Sequence, residues 1–269
     1  MVDHIIQVQN VSKIFGGLTA VNSVDLEVAK GSIYSIIGPN GAGKTTLFNC
    51  ISGFYVPEHG KVLFQGQQLN GRSTDTIASL GLSRTYQNIR LFSNLTAIEN
   101  VLVGQQPLLH ENWVESILHS RRSRREEKSA LIEGYKWLKF VGLSEFANSI
   151  AGDLPYGAQR RLEIARALSS QPTLLLLDEP TAGMNPQETL EMTALIRSLR
   201  DLFGITIILI EHDMHVVMGI SDQIAVLDFG NKIAEGKPSE IQSNERVIEA
   251  YLGPGGAALA QKYRRKKAS

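Results

Sequence analysis

The chain has 269 residues, 43% hydrophobic and 20% charged, near the globular average and long enough for one large domain or two modest ones. Its 27 basic and 27 acidic residues are unevenly laid out: Pro254 to Ser269 holds Lys262, Arg264, Arg265, Lys266 and Lys267 with no acid, which leaves 22 basic against 27 acidic residues elsewhere. An acidic body is a poor sequence-independent binder of nucleic acid, so that only the basic tail could touch something anionic, while apolar runs of only about six residues (Ile205 to Ile210) exclude a spanning helix and the lone Cys50 excludes an internal disulfide. Met1-Val-Asp-His-Ile-Ile lacks the features of a secretory signal, so a reducing cytoplasm is the expected setting.

Along the chain, Val8, Val11, Ile14, Val21, Val24, Leu26 and Val28 predict short, half-buried antiparallel strands broken by a turn at Gly16-Gly17. Ile33-Tyr-Ser-Ile-Ile37, bounded by Gly31 and Gly38, reads as a strand covered on both faces, followed by a helix at Lys44 to Ile51. Leu174 to Leu177 and Ile205 to Ile210 are two more such strands, each followed by helical sequence, which argues for a parallel sheet in an α/β domain. From Asn88 to Ser170 strand signals fade. Leu131, Gly134, Tyr135, Leu138 and Val141 recur at helical spacing and stop at Gly142, so this region is expected to be a helical insertion, with a further helix opening near Gln159. Ile224 to Phe229, Gly230-Asn231 and Lys232 to Glu235 predict a hairpin, and the segment after Gly253 is expected to be mobile.

Gly38-Pro-Asn-Gly-Ala-Gly-Lys-Thr45 fits G-x-x-x-x-G-K-[ST] where that motif belongs, between an apolar strand and a helix. Glycines at 41 and 43 allow backbone N–H groups to turn inward around phosphate oxygens, Lys44 can reach the β and γ phosphates, and Thr45 can offer a hydroxyl to Mg²⁺. The expected ligand is a magnesium-bound nucleoside triphosphate, contacted through Gly38, Pro39, Asn40, Gly41, Ala42, Gly43, Lys44, Thr45 and Thr46. Leu174 to Leu177 then delivers Asp178 and Glu179 at a strand end. A hard cation wants oxygen ligands and hydrolysis wants a positioned base, so Asp178 is read as the metal carboxylate and Glu179 as the group that orients or deprotonates water.

With these two motifs in place the chain resembles the ATP-binding cassette family over roughly Ile5 to Leu252. Gly38 to Thr45 resembles its Walker A, Thr85-Tyr-Gln87 its Q-loop, Leu154-Pro-Tyr-Gly157-Ala its signature, Ala182-Gly-Met-Asn185 its D-loop and Ile210-Glu-His212 its switch histidine. Phe15 stands at its aromatic adenine-stacking position. The resemblance implies a P-loop NTPase core with an antiparallel β subdomain (1–87 and 171–240), a helical signature-bearing subdomain (88–170), one domain over 1–253 and a flexible basic tail at 254–269. It implies ATP and Mg²⁺ as ligands, with Thr45, Gln87 and Asp178 toward the metal and Glu179, His212 and Lys44 as catalytic.

The signature departs from the family's L-S-G-G-Q. Pro155, Tyr156 and Ala158 replace serine, glycine and glutamine, and only Leu154 and Gly157 remain. In this family the signature of one subunit closes over the nucleotide of the other, so the departure predicts an asymmetric dimer in which the site completed by this signature is the weaker. The runs Arg160 to Leu168, Asp178 to Pro186 and Ile210 to Asp222 most resemble the ATP-binding subunits of importers of branched-chain and other hydrophobic amino acids. That branch implies a second, paralogous ATP-binding subunit, two membrane permeases, an extracytoplasmic solute-binding protein contacted indirectly, no nucleic acid, and a place at the cytoplasmic face of the membrane. A linker around Leu108 to Lys128 agrees with the branch, and its Arg121, Arg122, Arg124 and Arg125 form either a solvated helix face or a surface for lipid or permease. Competing readings are a lipid or lipopolysaccharide exporter subunit and a soluble cassette acting on ribosomes or DNA. A GTPase would need N-K-x-D, and Asn231-Lys-Ile-Ala234 lacks the acid.

Overall fold

A computed structural model describes residues 3–106 and 121–253. The basic tail at 254–269 and most of the linker around Leu108 to Lys128 lie outside the described residues, as do the side chains of Arg121, Arg122, Arg124 and Arg125. The described chain divides into two compact units, one formed by residues up to Ser73 with those from Arg197 onward, the other by Thr74–Ile196.

The first unit opens with β1 (His4–Phe15) and β2 (Leu18–Ala29), antiparallel across the Gly16-Gly17 turn. With β4 (His59–Phe64) and β5 (Gln67–Gln68) they form a sheet in the order β2-β1-β4-β5. Val24, Leu26 and Val28 are buried while Asp25 and Glu27 face outward, the period-2 alternation of a strand with one covered face. Where short strands were expected, each strand runs for 12 residues. The breaks in alternation are absorbed by register shifts beside Asn10 (φ 50°) and Ser23 (φ 48°), which take up the extra residue without ending the ladder.

The unit's other strands are β3 (Ile33–Ile37), β8 (Thr206–Ile210), β9 (Gln223–Asp228) and β10 (Asn231–Gly236). Strand β3 pairs in parallel with both β8 and β9, and β9 turns back into β10. Every residue of β3 and β8 is buried, as the glycine-bounded apolar runs require, and each isoleucine so covered contributes about 1.5–3 kcal/mol. Helices α1 (Lys44–Ile51), α7 (Met214–Ile220), α8 (Pro238–Ser243) and α9 (Glu245–Leu252) complete the unit. Ile37, Val217, Ile224, Val226, Ile241 and Val247 make one of its cores. The β9–β10 turn lies at Phe229 (φ 42°) and Gly230 (φ 79°), one residue before the expected Gly230-Asn231, because Asn231 pairs opposite Asp228. A two-residue loop of this hand needs positive φ at both positions, and here a phenylalanine supplies one of them.

In the second unit β6 (Leu82–Arg84) pairs in parallel with β7 (Leu174–Asp178). Around them stand α2 (Thr74–Ser79), α3 (Ala97–Val103), α4 (Arg121–Phe140), α5 (Tyr156–Leu168) and the start of α6 (Pro186–Phe203). Thr96 caps α3 reciprocally with Glu99, a Thr-x-x-Glu box legible in the sequence. Gly142, at φ 74°, ends α4 while Leu143 N–H reaches back to the Leu138 carbonyl at 2.7 Å. Ala97, Val101, Leu138, Leu143, Leu162 and Ala165 form the core between α3, α4 and α5. Among the described residues no helix is long and apolar enough to cross a membrane.

Candidate functional site

The glycine-rich loop joins β3 to α1. Gly38 (φ 149°) and Gly43 (φ 98°) are irreplaceable on steric grounds: a Cβ on the first would stand 2.0 Å from the Leu227 carbonyl oxygen and on the second 2.3 Å from that of Ala20. At Gly41 (φ 80°) the position of a Cβ faces open space. Between these close approaches Pro39 is half-buried, Asn40 and Thr45 are exposed, Ala42 is buried and Thr46 is half-buried. Lys44 is buried, and its Nζ donates to the carbonyls of Gly38 and Pro39 at 2.8 and 2.9 Å, which holds the ammonium over the loop. A cation arched over a loop open at Gly41, with a hydroxyl at the first turn of an eight-residue helix, is a donor set that fits a polyphosphate.

The same unit holds Phe15 and His212. Phe15, at the end of β1, is partly exposed and meets Tyr55 edge-on, ring centroids 5.2 Å apart, with Lys13 Nζ 5.2 Å from its centroid. One face of a flat apolar ring is thereby braced from the protein side. His212 is exposed in the connection from β8 to α7, its backbone N–H bonded to the buried Glu211 carboxylate at 3.0 Å.

In the second unit, β7 places Asp178 and Glu179 side by side at its end. Asp178 is buried and accepts from Arg84 Nη2 at 3.0 Å. Burial pushes its carboxyl above the ordinary aspartate range, against the opposing pull of the Arg84 hydrogen bond and charge. Glu179 is a non-glycine residue at φ 50°, a left-handed conformation that turns its carboxylate away from the strand line, and its Oε2 accepts from Gln87 Nε2 at 3.0 Å. Gln87 is exposed on the loop after β6. The structure thus brings Gln87, Asp178 and Glu179 together through direct or shared neighbours.

The signature segment begins a helix sooner than the expected Gln159. Leu154 is buried, Pro155 (φ −54°, ψ 150°) occupies the N-cap, and Tyr156 opens α5, so Gly157 and Ala158 lie buried in its first turn. Proline fixes φ where a helix begins and lacks an N–H that would there be unsatisfied, which places the start at its own position. A Cβ on Gly157 would stand 2.8 Å from Glu188 Oε1. Asn185 Oδ1 accepts from Glu188 N–H at 3.0 Å while Glu188 Oε2 accepts from Asn185 N–H at 3.0 Å, a reciprocal cap on α6.

Sequence reasoning missed Arg84, Arg160 and Glu163. Arg160 and Glu163 are 3% and 1% exposed and pair at 3.3 Å on one face of α5. Arg160 Nη1 donates to the Tyr86 carbonyl at 2.6 Å and Nη2 to that of Gln87, while Glu163 Oε1 accepts the N–H groups of Tyr86 and Arg90 at 3.3 and 3.4 Å. Burial raises the Glu163 carboxyl, the Arg160 charge opposing. The signal was available: an Arg and a Glu three apart in a helix, on the turn that also presents buried Ile164 and Ala165, are charges aimed inward.

Comparison with known proteins gives the context of these sites. The ABC transporter family model matches residues 21–182, and that of the branched-chain amino acid ATP-binding cassette transporter matches 231–253. The chain is 48% identical over 249 residues to the high-affinity branched-chain amino acid transport ATP-binding protein BraF of Pseudomonas aeruginosa, covering 93% of this chain and 98% of that one. It is 51% identical over 239 residues to the corresponding protein LivG of Escherichia coli K12, covering 89% and 94%. Among solved structures it is similar to the ADP conformation of an ATP-binding cassette of an ABC transporter, with a TM-score of 0.81, 32% identity and 93% and 99% coverage. A nucleotide-free ATP-binding cassette from an ABC transporter matches with a TM-score of 0.80, 31% identity and 92% and 98% coverage. With one family model matching more than half of its length and relatives near 50% identity along almost all of it, the chain belongs to the ABC transporter family of ATP-binding cassettes.

Proposed function

We propose that this chain is the ATP-hydrolysing subunit of an importer of branched-chain or other neutral, hydrophobic amino acids, working at the cytoplasmic face of the membrane. The observation that carries the reading is the pairing of a phosphate loop built for close approach with a second family match, at residues 231–253, to the branched-chain amino acid cassettes. Its partners in this reading are a second ATP-binding subunit, a paralogue, two membrane permeases and, through them, an extracytoplasmic solute-binding protein.

In this reading the loop Gly38 to Thr46, through the backbone N–H groups of its residues other than Pro39, and the Lys44 ammonium bind the triphosphate, and the Phe15 ring, braced by Tyr55, stacks on adenine. Thr45, Asp178 and Gln87 are the residues that would hold Mg²⁺, which when bound neutralises charge on the phosphate oxygens. Glu179 takes or orients the proton of the attacking water, and Gln87, bonded to it, limits the directions its carboxylate can adopt. His212, exposed beyond β8, donates to the terminal phosphate and so senses its presence. The signature Leu154, Pro155, Tyr156, Gly157 and Ala158, carried by the helical stretch 88–170, faces the partner's nucleotide, with the D-loop Asn185 tied to Glu188, whose carboxylate stands over Gly157. Pro155 offers neither hydroxyl nor N–H, so the site it completes hydrolyses more slowly.

Deletion of the gene followed by uptake of labelled leucine, alanine and glutamine tests the assignment. Loss of leucine uptake, restored by the parent chain and not by Lys44→Ala, is expected; undiminished uptake with altered lipid export would replace this reading with an exporter subunit. Disabling Glu179 and then its counterpart in the partner is expected to give unequal residual ATP turnover, and equal values would remove the asymmetry.

A further inference from the structure

Tyr156 is the largest departure in the signature, and its hydroxyl is wired into the hydrolytic residues of its own chain. The ring is 45% exposed at the start of α5, and its near edge lies 3.4 Å from where a Cβ of Gly183 would stand. Its oxygen accepts from Arg160 Nη2 at 3.2 Å and Nε at 3.3 Å. Arg160, almost wholly buried, donates through the same Nη2 to the Gln87 carbonyl and through Nη1 to that of Tyr86. Gln87 in turn donates to Glu179 Oε2. Tyr156, Arg160, Gln87 and Glu179 are therefore linked within one unit from the helix start to the carboxylate, by hydrogen bonds as far as the Gln87 carbonyl and then through the Gln87 residue itself, whose side-chain amide makes the last bond.

Each link has the properties a transmitter needs. The guanidinium is planar and permanently charged, so it holds the Tyr156 hydroxyl, the Tyr86 and Gln87 carbonyls and the Glu163 carboxylate in a fixed fork and cannot lose a bond by deprotonation. Glu163 neutralises it and also grips the loop at Tyr86 and Arg90, so loop and helix move together rather than slide. The Arg90 guanidinium, 4.4 Å from the Tyr86 ring centroid, closes the loop on itself. A glycine at 156 would leave no atom to reach Arg160.

We propose that Tyr156 and Arg160 are positioning residues that carry displacement of the α5 start, where the facing cassette's polyphosphate presses, to the Gln87 loop and so set the aim of Glu179. This rests on the cassette-pair reading above. The segment that closes on the partner's nucleotide thereby also reports that nucleotide to this chain's own water-activating group.

Tyr156→Phe removes the hydroxyl while keeping the ring on a half-open surface, so folding is preserved. In the complete transporter the substitution is expected to lower kcat for ATP about 3- to 10-fold with KM for ATP changed less than about 2-fold, the size of one ordinary hydrogen bond lost. In a Gln87→Ala background the same substitution is expected to lower kcat by less than about 1.5-fold, because the relay is already cut. Arg160→Lys, measured the same way, is expected to match Tyr156→Phe without adding to it. An equal kcat factor in both backgrounds, or a change confined to KM, overturns the proposal. Transport of a solute other than an amino acid would strike the importer reading alone, since every readout here is ATP turnover.

Discussion

Arg84 Nη2 lies 3.0 Å from Asp178 Oδ2 in a place where the two side chains are 8% and 3% exposed, so the carboxylate at the end of β7 has a counter-charge delivered by the neighbouring strand β6. Removing one partner of a buried pair strands the other, which typically costs about 3–5 kcal/mol. Arg84→Met is therefore expected to lower the urea midpoint of the nucleotide-free protein substantially. It should also raise the Mg²⁺ concentration needed for half-maximal turnover, because an Asp178 without Arg84 holds its proton more tightly and offers less carboxylate to a cation. Urea titration and a Mg²⁺ titration of ATPase rate check the two halves separately.

Glu179 is held by its backbone and by its side chain: φ 50° at the strand end and the 3.0 Å bond from Gln87. Glu179→Gln retains size and the acceptor oxygen but cannot take a proton. The expected outcome is a loss of kcat of about 100- to 10,000-fold, the usual scale of general-base catalysis, with ATP affinity preserved. Phosphate release and equilibrium ATP binding, measured on the same preparation, distinguish a lost base from a lost site.

Much of this was legible in the sequence because the informative signals are local. The apolar run Ile33 to Ile37 bounded by glycines, the helix Lys44 to Ile51 and the stop at Gly142 each follow from steric or hydrophobic rules acting within a few residues, and the structure places them at those positions. The α5 start lies three residues before the expected Gln159, because Pro155 is the last residue before the helix and Tyr156 already belongs to its first turn. Strand β6 escaped notice since three residues, Leu82 to Arg84, carry too little periodicity to register; only pairing with β7 makes them a strand. In the candidate sites sequence patterns name the residues that carry a motif and pass over those that carry none. Arg84, Arg160 and Glu163 acquire meaning from partners 94, 74 and 77 positions away, a separation no local pattern reports.

Gly41 and Gly43 separate backbone strain from steric collision within one loop. Both have φ in the left-handed region, but a Cβ meets nothing at Gly41 and the Ala20 carbonyl oxygen at Gly43. Gly41→Ala is expected to cost about 1 kcal/mol of stability through strain alone. Gly43→Ala must also move backbone on one side or the other, and since the loop lies at the start of α1 the nucleotide-induced rise in melting temperature should largely vanish. Melting curves with and without ATP rank the two; equal behaviour would show that collision at Ala20 is relieved without disturbing the loop.

The buried Arg160–Glu163 pair makes a prediction opposite to the usual expectation for an ion pair. Burial raises the Glu163 carboxyl above the ordinary glutamate value despite Arg160 and two backbone N–H donors, so desolvation outweighs pairing. As pH rises through the ordinary value the unfolded chain releases its proton first while the folded chain retains it. The folded state then binds more protons, and the slope of unfolding free energy with pH is negative. The contribution of Glu163 is therefore fully present below the ordinary value and falls as pH approaches the raised one. Glu163→Gln cannot titrate but keeps an acceptor for the Tyr86 and Arg90 N–H groups. The stability advantage of the parent over this variant is expected to narrow as pH is raised from about 4 to 7, read as the difference in urea midpoints at each pH. An advantage that widens over the same range would mean that the ionised carboxylate is held more tightly by Arg160 than burial penalises it, and would reverse the sign assigned to this pair.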